Sequence, residues 1–228
     1  MKTPKIQMSE SLFVGLMLAS VGGFLESYSF ITRAGVFANC QTGNMVLLAM
    51  YVTKGDWMRV ISYLIPILSF IIGVVLTELV RLFALNHKLH WRQYIILFEL
   101  FLLAFVGFIP SGRYDIIATT VIAFSCSMQV ESFRKVKGSV YATTMCTGNL
   151  RSGTFWLFDS VIKKDTDSLM RAGNYFAVIL IFMLGALIGG IATDFWGEKS
   201  IWLSCLMLLF VFFVLFIHPA EEDDGTVA

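Results

Sequence analysis

Charge is scarce in this sequence. Asp, Glu, Lys and Arg together make up 14% of the 228 residues, against roughly 25% in an ordinary soluble domain. Hydrophobic residues fill the deficit at 57%, more apolar mass than a soluble core holds. The net charge of +1 is too balanced for a nucleic-acid partner. The four cysteines, Cys40, Cys126, Cys146 and Cys205, have no paired spacing, which speaks for buried thiols and against a disulfide framework or metal site. His87 and His90 stand three apart in a basic loop without further ligands, so no metal is expected there either. No nucleophile elbow, P-loop, zinc-protease motif or dinucleotide fingerprint occurs. Enzymatic chemistry and a cofactor are therefore not expected. No Pro/Gly/Ser-rich linker divides the chain, which reads as a single domain over 1–228.

The sequence is rich in long apolar runs, such as Ile61–Ala84 and Ile201–Ile217, each near the ~20 residues that cross a bilayer as helix. Spans are expected at about 11–31, 60–84, 93–110, 114–133, 173–194 and 200–217. Lys2 and Lys5 ahead of the first resemble a signal peptide. That run, however, is longer than a typical signal core and lacks a small-x-small cleavage site, so it reads as a retained span. Small residues recur every four positions at Gly15, Ala19, Gly23 and Ser27, and again at Gly185 and Gly189, a pattern that lets helices approach closely. The acidic end Glu221–Asp224 reads as a solvated tail.

The two halves repeat each other. Glu26-Ser27-Tyr28 precedes Thr42-Gly43-Asn44, and Glu131-Ser132-Phe133 precedes Thr147-Gly148-Asn149, at a constant offset of 105 residues without a gap. Phe70-Ile-Ile-Gly73 matches Phe182-Met-Leu-Gly185 at an offset of 112, the added residues fitting the polar loop Lys163–Leu169. The repeats divide as 1–112 and 113–228. An acidic residue ending the first span, then a glycine-containing stretch, Thr-Gly-Asn and a second Thr-Gly resembles the YoaK family of bacterial membrane proteins over nearly the whole chain. The family commonly has Asp at the first acidic position; here it is Glu26, with the same charge on a longer arm. The resemblance implies a multi-pass protein of the bacterial inner membrane and says little about chemistry.

Basic residues choose the topology. With six spans and an inside N-terminus, 11 Lys and Arg lie inside and 5 outside, leaving out Arg151 within the second motif segment. With eight spans the division is 8 against 8, no bias at all. The six-span arrangement is therefore expected, with both termini cytoplasmic and both Thr-Gly-Asn segments re-entrant. Each half then holds an odd number of spans, so the halves are inverted, as in many transporters. From Asn44 to Lys54 a helix reaches about 16 Å, half of a ~30 Å hydrocarbon core.

Thr42, Gly43, Asn44, Thr147, Gly148 and Asn149 are the leading site candidates. Gly permits tight backbone, and Thr and Asn cap helices. A half-helix starting there would aim N–H groups and partial positive charge at mid-membrane, where irregular backbone survives only inside protein or beside a polar cavity. The plainer reading is a buried cap that serves packing alone. Glu26 and Glu131 end the first and fourth spans, and carboxylates within spans are often functional. Alternatively each pairs with a nearby base: Arg33 for Glu26, Arg134 or Lys135 for Glu131. Glu99 sits mid-span with no basic residue within a turn, either as a proton relay or as the donor in an interhelical hydrogen bond.

These features predict an all-α integral membrane protein in contact with the lipid bilayer. The expected function is transport or conduction of an unidentified small molecule or ion between the inverted repeats. The alternatives are a non-transporting scaffold or accessory subunit and, third, a membrane enzyme. A homo-oligomer is compatible with all three.

Overall fold

The computed structural model describes residues 11–83, 91–136, 139–140 and 146–217. Its helices are α1 (Leu12–Thr32), α2 (Gln41–Thr53), α3 (Trp57–Phe83), α4 (Trp91–Val106), α5 (Asp115–Ser132), α6 (Cys146–Lys163), α7 (Thr166–Trp196) and α8 (Ile201–Ile217). A short 3-10 turn, Gly197–Ser200, joins the last two, and Lys135–Val136 pairs antiparallel with Ser139–Val140. Helices α1, α3, α4, α5, α7 and α8 cover the six segments expected as spans. Helix α7 begins earlier than the apolar pattern indicates because Asp165 caps it, accepting from the N–H groups of Asp167 and Ser168 at 3.1 and 3.0 Å. Ser11 caps α1 in the same way through Val14. Leu12–Thr32, Trp57–Phe83 and the continuous stretch Thr166–Leu215 are long and apolar enough to cross a membrane.

Contacts between helix ends fix the directions. At one end of the bundle, here the first end, Arg33 beyond α1 donates to the Ile109 carbonyl after α4 (2.9 Å) and meets Asp115 of α5. There too Tyr28 donates to the Glu198 carbonyl (3.0 Å) and Trp202 to the Ala104 carbonyl (3.2 Å). At the second end, Arg92 donates to the Ser132 carbonyl and Gln93 to the Leu215 carbonyl, each at 2.9 Å. Helices α1, α4 and α7 thus run toward the first end, and α3, α5 and α8 run away from it. Helix α2 closes at the first end, where Arg59 at the start of α3 donates to the Ala34 carbonyl at 2.8 Å. Helix α6 closes at the second, where Asp159 meets Ser168 at 3.1 Å.

Helix α1 packs chiefly against α7, and α3 against α5. Small residues make this possible. A Cβ on Gly23 would collide with the Phe182 carbonyl oxygen, one on Gly185 with that of Ser20, and one on Gly189 would lie 2.6 Å from that of Phe24. On the other pair, a Cβ on Gly73 would strike the Ser127 hydroxyl. Helix backbones touch here, and the gain is van der Waals packing.

The distribution of polarity is the reverse of a soluble protein's. On α3, Ile71, Ile72 and Val75 are more than half exposed (54%, 55% and 52%), while Ser69 and Thr77 are buried. Gln93, Glu99, Ser125, Ser127 and Gln129 also lie inside, each at 4% exposure or less. Apolar surface outside and polar side chains inside suit a hydrocarbon surround.

Candidate functional site

The first motif segment is positioned by a reversal at the end of α1. Ala34 (φ 56°) and Gly35 (φ 75°) adopt left-handed backbone and turn the chain back on itself. For Ala34 this costs on the order of 1 kcal/mol or more, offset by the Arg59 bond to its carbonyl and by stacking of Phe30 on Phe37 at 4.7 Å. The strap 36–40 then descends along α1 until the Asn39 amide nitrogen reaches the Gly22 carbonyl at 3.4 Å. Gly22 lies about 15 Å below Thr32 along the helix, half of a ~30 Å core.

At the foot of the strap, Glu26 accepts from the N–H of Asn39 (2.7 Å) and of Cys40 (3.0 Å). These are unpaired amides at the N-terminus of α2, where an anion is favoured by both hydrogen bonding and the helix dipole. Glu26 therefore does the capping that the sequence suggested for Thr42 or Asn44. The motif lies inside the first turn of α2, and Cys40 at the cap makes no side-chain cap bond. Glu26 does not pair with Arg33. The Arg33 side chain turns to the first end, fully buried, where it donates to the Tyr28 hydroxyl (2.8 Å) and lies 3.3 Å from Asp115. Glu198, in the turn after α7, accepts from the Ser111 N–H at 3.0 Å; that bond, with Arg33 contributing, holds its carboxyl down at about 2.

Asn44 is fully buried, and its amide is spent on the strap. Its oxygen accepts from the Phe37 N–H (2.9 Å), while its nitrogen donates to the Phe37 carbonyl (2.9 Å) and to Gln41 (3.0 Å). The side chain thus stands in for a neighbouring β-strand and satisfies backbone groups that have no other partner at that depth. Thr42 is exposed, and Gly43 abuts the Phe37 ring, 2.9 Å from where its Cβ would be. The first motif is a clamp on the strap, the geometry of the packing alternative rather than of side chains opening onto a shared space.

Glu99 is fully buried on α4, and both its oxygens face the Gln129 amide nitrogen of α5 at 3.2 and 3.4 Å. Cys126, one turn before Gln129, lies beside the Asn39 side chain and within electrostatic reach of both Glu99 and Glu26. The two carboxylates therefore belong to one polar seam running from the foot of the strap along α5. Several buried atoms at the foot of the strap and along α5 have no hydrogen-bond partner: Asn39 Oδ1, Ser125 Oγ, Gln129 Oε1 and, nearer the second end, Ser132 Oγ. Asn39, Ser125 and Gln129 were not singled out from sequence, and Cys126 was read only as a buried thiol. A Gln within an apolar span was the available signal for one of them.

In the second half, Glu131 lies 3.0 Å from Arg134, as the pairing alternative had it. Glu78 and Arg81, themselves paired, stand close by at the second end. Asn149 is buried, whereas Thr147 and Gly148 are exposed; the stretch 141–145 before them lies outside the described residues. Cys146, which opens α6, is within electrostatic reach of Glu26 and Cys40. The starts of α2 and α6 thus lie within electrostatic range of one another and of Glu26.

The DUF1275 family, described as a protein of unknown function, matches residues 14–214. The chain belongs to the DUF1275 family. A relative, the UPF0700 transmembrane protein YoaK of Bacillus subtilis (strain 168), is 24% identical over 204 residues, covering 84% of this chain and 88% of the relative. No solved structure matches. This member of DUF1275 is a membrane protein: its relative is a transmembrane protein and its own long helices are apolar on the outside. The family description carries no activity, so any function must be argued from the seam.

Proposed function

We propose that this DUF1275 protein is a transporter or channel for a small polar solute or ion, and not an enzyme. Its path follows the seam joining Glu26, Asn39, Gln129 and Glu99. The observation that carries this reading is the seam itself: two acidic side chains and several unpartnered polar atoms in the interior of a membrane-embedded bundle. Polar and ionisable groups are costly in that setting, and they mark solute and ion pathways. If the centre served packing alone, apolar side chains would fill it at lower cost.

The architecture we propose has six spans, with α2 and α6 re-entrant from opposite faces. Two close contacts support it. If α2 crossed the membrane, Ala34 and Arg59 would lie on opposite surfaces roughly 30 Å apart, yet they are hydrogen-bonded. The same holds for Arg33 and Asp115. Inverted repeats are supported by the directions of sequence-equivalent helices: α1 opposes α5, α3 opposes α7, and α4 opposes α8. Exchanging the halves also turns the α1–α7 packing into the α5–α3 packing, and α2–α3 into α6–α7. The basic-residue bias places the first end outside and the second end, with both termini, in the cytoplasm of a bacterial cell. Burial of Arg33 against Asp115 strengthens that bias by removing a positive charge from the outer surface.

The scaffold reading keeps one specific support, the closed Asn44 clamp on Phe37. The two readings separate in proteoliposomes. We expect solute or ion flux with the native chain, and loss of flux with intact folding in Glu99→Leu. Absence of flux across cations, anions and neutral polar solutes would leave the scaffold.

A further inference from the structure

We infer that the seam binds a monovalent alkali cation, held by the Glu99 carboxylate and the neutral oxygens of Gln129, Ser125 and Asn39. As an ion on a transport path this deepens the function proposed above and rests on it; as a binding site it can be measured without any flux.

The carboxylate comes first. Glu99 is fully buried, and the same Gln129 amide nitrogen serves both of its oxygens. A buried carboxylate with so few donors must be neutralised, by a proton or by a counter-charge. The basic residue of α4, Arg92, lies two turns away and is bonded to the Ser132 carbonyl at 2.9 Å. The unpartnered atoms come second. Gln129 Oε1, Ser125 Oγ and Asn39 Oδ1 are oxygens without partners, all buried at 7% exposure or less. With its amide nitrogen turned to Glu99, Gln129 has only its carbonyl oxygen left to offer. A surplus of acceptors repels anions and attracts cations. Placement comes third. Ser125 and Gln129 stand four apart on one face of α5, and Cys126 between them lies beside Asn39 and within reach of Glu99.

The ligand set selects the ion. Oxygen ligands suit hard cations. A single carboxylate neutralises one positive charge, whereas calcium and magnesium are held by more carboxylates or by retained waters. No group of three His, Cys, Asp or Glu that would hold a metal occurs among the described residues. A proton on Glu99 would supply one O–H donor, leaving the remaining oxygens unpartnered, whereas a metal cation contacts several at once. Broken helices at mid-membrane are also where transporters place coupling ions.

The test is thermal unfolding of the purified full chain in detergent, in sodium, potassium or choline chloride at equal pH and ionic strength. A ligand bound only by the folded state raises stability with its concentration, so one alkali cation should raise Tm above choline, saturably. Glu99→Gln should abolish the response. Ser125→Ala, which keeps the carboxylate, should shift the half-effect to about tenfold higher concentration, as losing one ligand worth ~1.4 kcal/mol implies. Asp56→Asn, at the first end and away from the seam, should respond like the native chain. Equal Tm in all three salts, a response surviving in Glu99→Gln, or dependence on pH alone would overturn the site. Should Glu99→Gln fail to fold, an unshifted half-effect in Ser125→Ala would do so. Cation binding without flux counts against transport, and flux without cation binding counts against this site alone.

Discussion

Arg33 and Asp115 meet at 3.3 Å although 82 residues separate them, and the Arg33 side chain is fully buried in that contact. The pair joins the end of α1 to the start of α5 and so ties the two halves together at one end of the bundle. Removing Asp115 leaves a buried guanidinium without its counter-charge, which typically costs ~3–5 kcal/mol. Asp115→Ala should therefore lower thermal stability sharply, and Arg33→Met with Asp115→Ala should recover most of the loss. If the double variant is no better than the single, charge pairing is not what holds this end. Glu198 contributes to the same knot. Its depressed carboxyl gives stability that is complete above the ordinary value of 4.5 and is lost as pH falls toward about 2, so this part of the knot should hold at pH 5.

Single cysteines in a cysteine-free background test the topology. Positions Asp56, Arg113 and Lys199 all lie at the first end and should react together with an impermeant thiol reagent applied to intact cells. Arg134 and Lys164 lie at the second end and should react only after permeabilisation. Labelling of cysteines at Ala34 and Asp56, which flank α2, from opposite sides would require α2 to cross the membrane and would remove the re-entrant arrangement.

Asn44→Leu separates clamp from pore. The Phe37 N–H and carbonyl would both lose their partner, at about 1–3 kcal/mol for each group stranded. The variant should be destabilised, with faster hydrogen exchange in the strap 34–40. Unchanged stability with altered flux would return Asn44 to the pathway and refute the clamp. Were Asn44 a helix cap facing a polar space, as the sequence allows, the same substitution would cost function more than stability, a lost cap being worth only about 0.5–2 kcal/mol.

That reversal shows where the sequence was legible. The apolar runs mark out the long helices, because bilayer thickness dictates the length of an apolar run and leaves little choice. The 105-residue offset pairs Glu26 with Glu131 and Asn44 with Asn149, because duplication leaves a record in residue order. Side-chain direction is recorded nowhere in that order. Glu26 has Arg33 two turns away on its own helix, and nothing in spacing says that Arg33 turns toward Ile109 and Asp115 while Glu26 takes the amides of Asn39 and Cys40. Gln129 is an isolated polar residue in its span until α4 brings Glu99 against it. Partners drawn from distant segments depend on how helices rotate about their axes, and glycine contacts such as Gly185 on Ser20 set that rotation.

The strongest test of the central geometry uses native residues. Cys40 precedes α2, and Cys146 opens α6. They are not at equivalent repeat positions, since Cys40 corresponds by the offset of 105 to Met145. Their approach is therefore a prediction of the fold rather than of the repeat. Both lie beside Glu26, Cys40 through its N–H bond to that carboxylate at 3.0 Å and Cys146 within electrostatic reach of both groups. Cys40 is exposed and Cys146 partly so, whereas Cys126 and Cys205 are buried. With the two buried cysteines replaced by Ala, a short bifunctional thiol reagent should join Cys40 to Cys146 within one chain, closing a loop visible as altered mobility on a denaturing gel. Glu26→Gln weakens the anchor on the Asn39 and Cys40 amides, because a neutral amide oxygen is a poorer acceptor than a carboxylate. Cross-linking should then slow by several-fold while Cys40 reacts faster with a monofunctional reagent. Efficient cross-linking only between chains, or none at all while each thiol is singly reactive, would mean that the starts of α2 and α6 do not converge and that the path we propose between them has no centre.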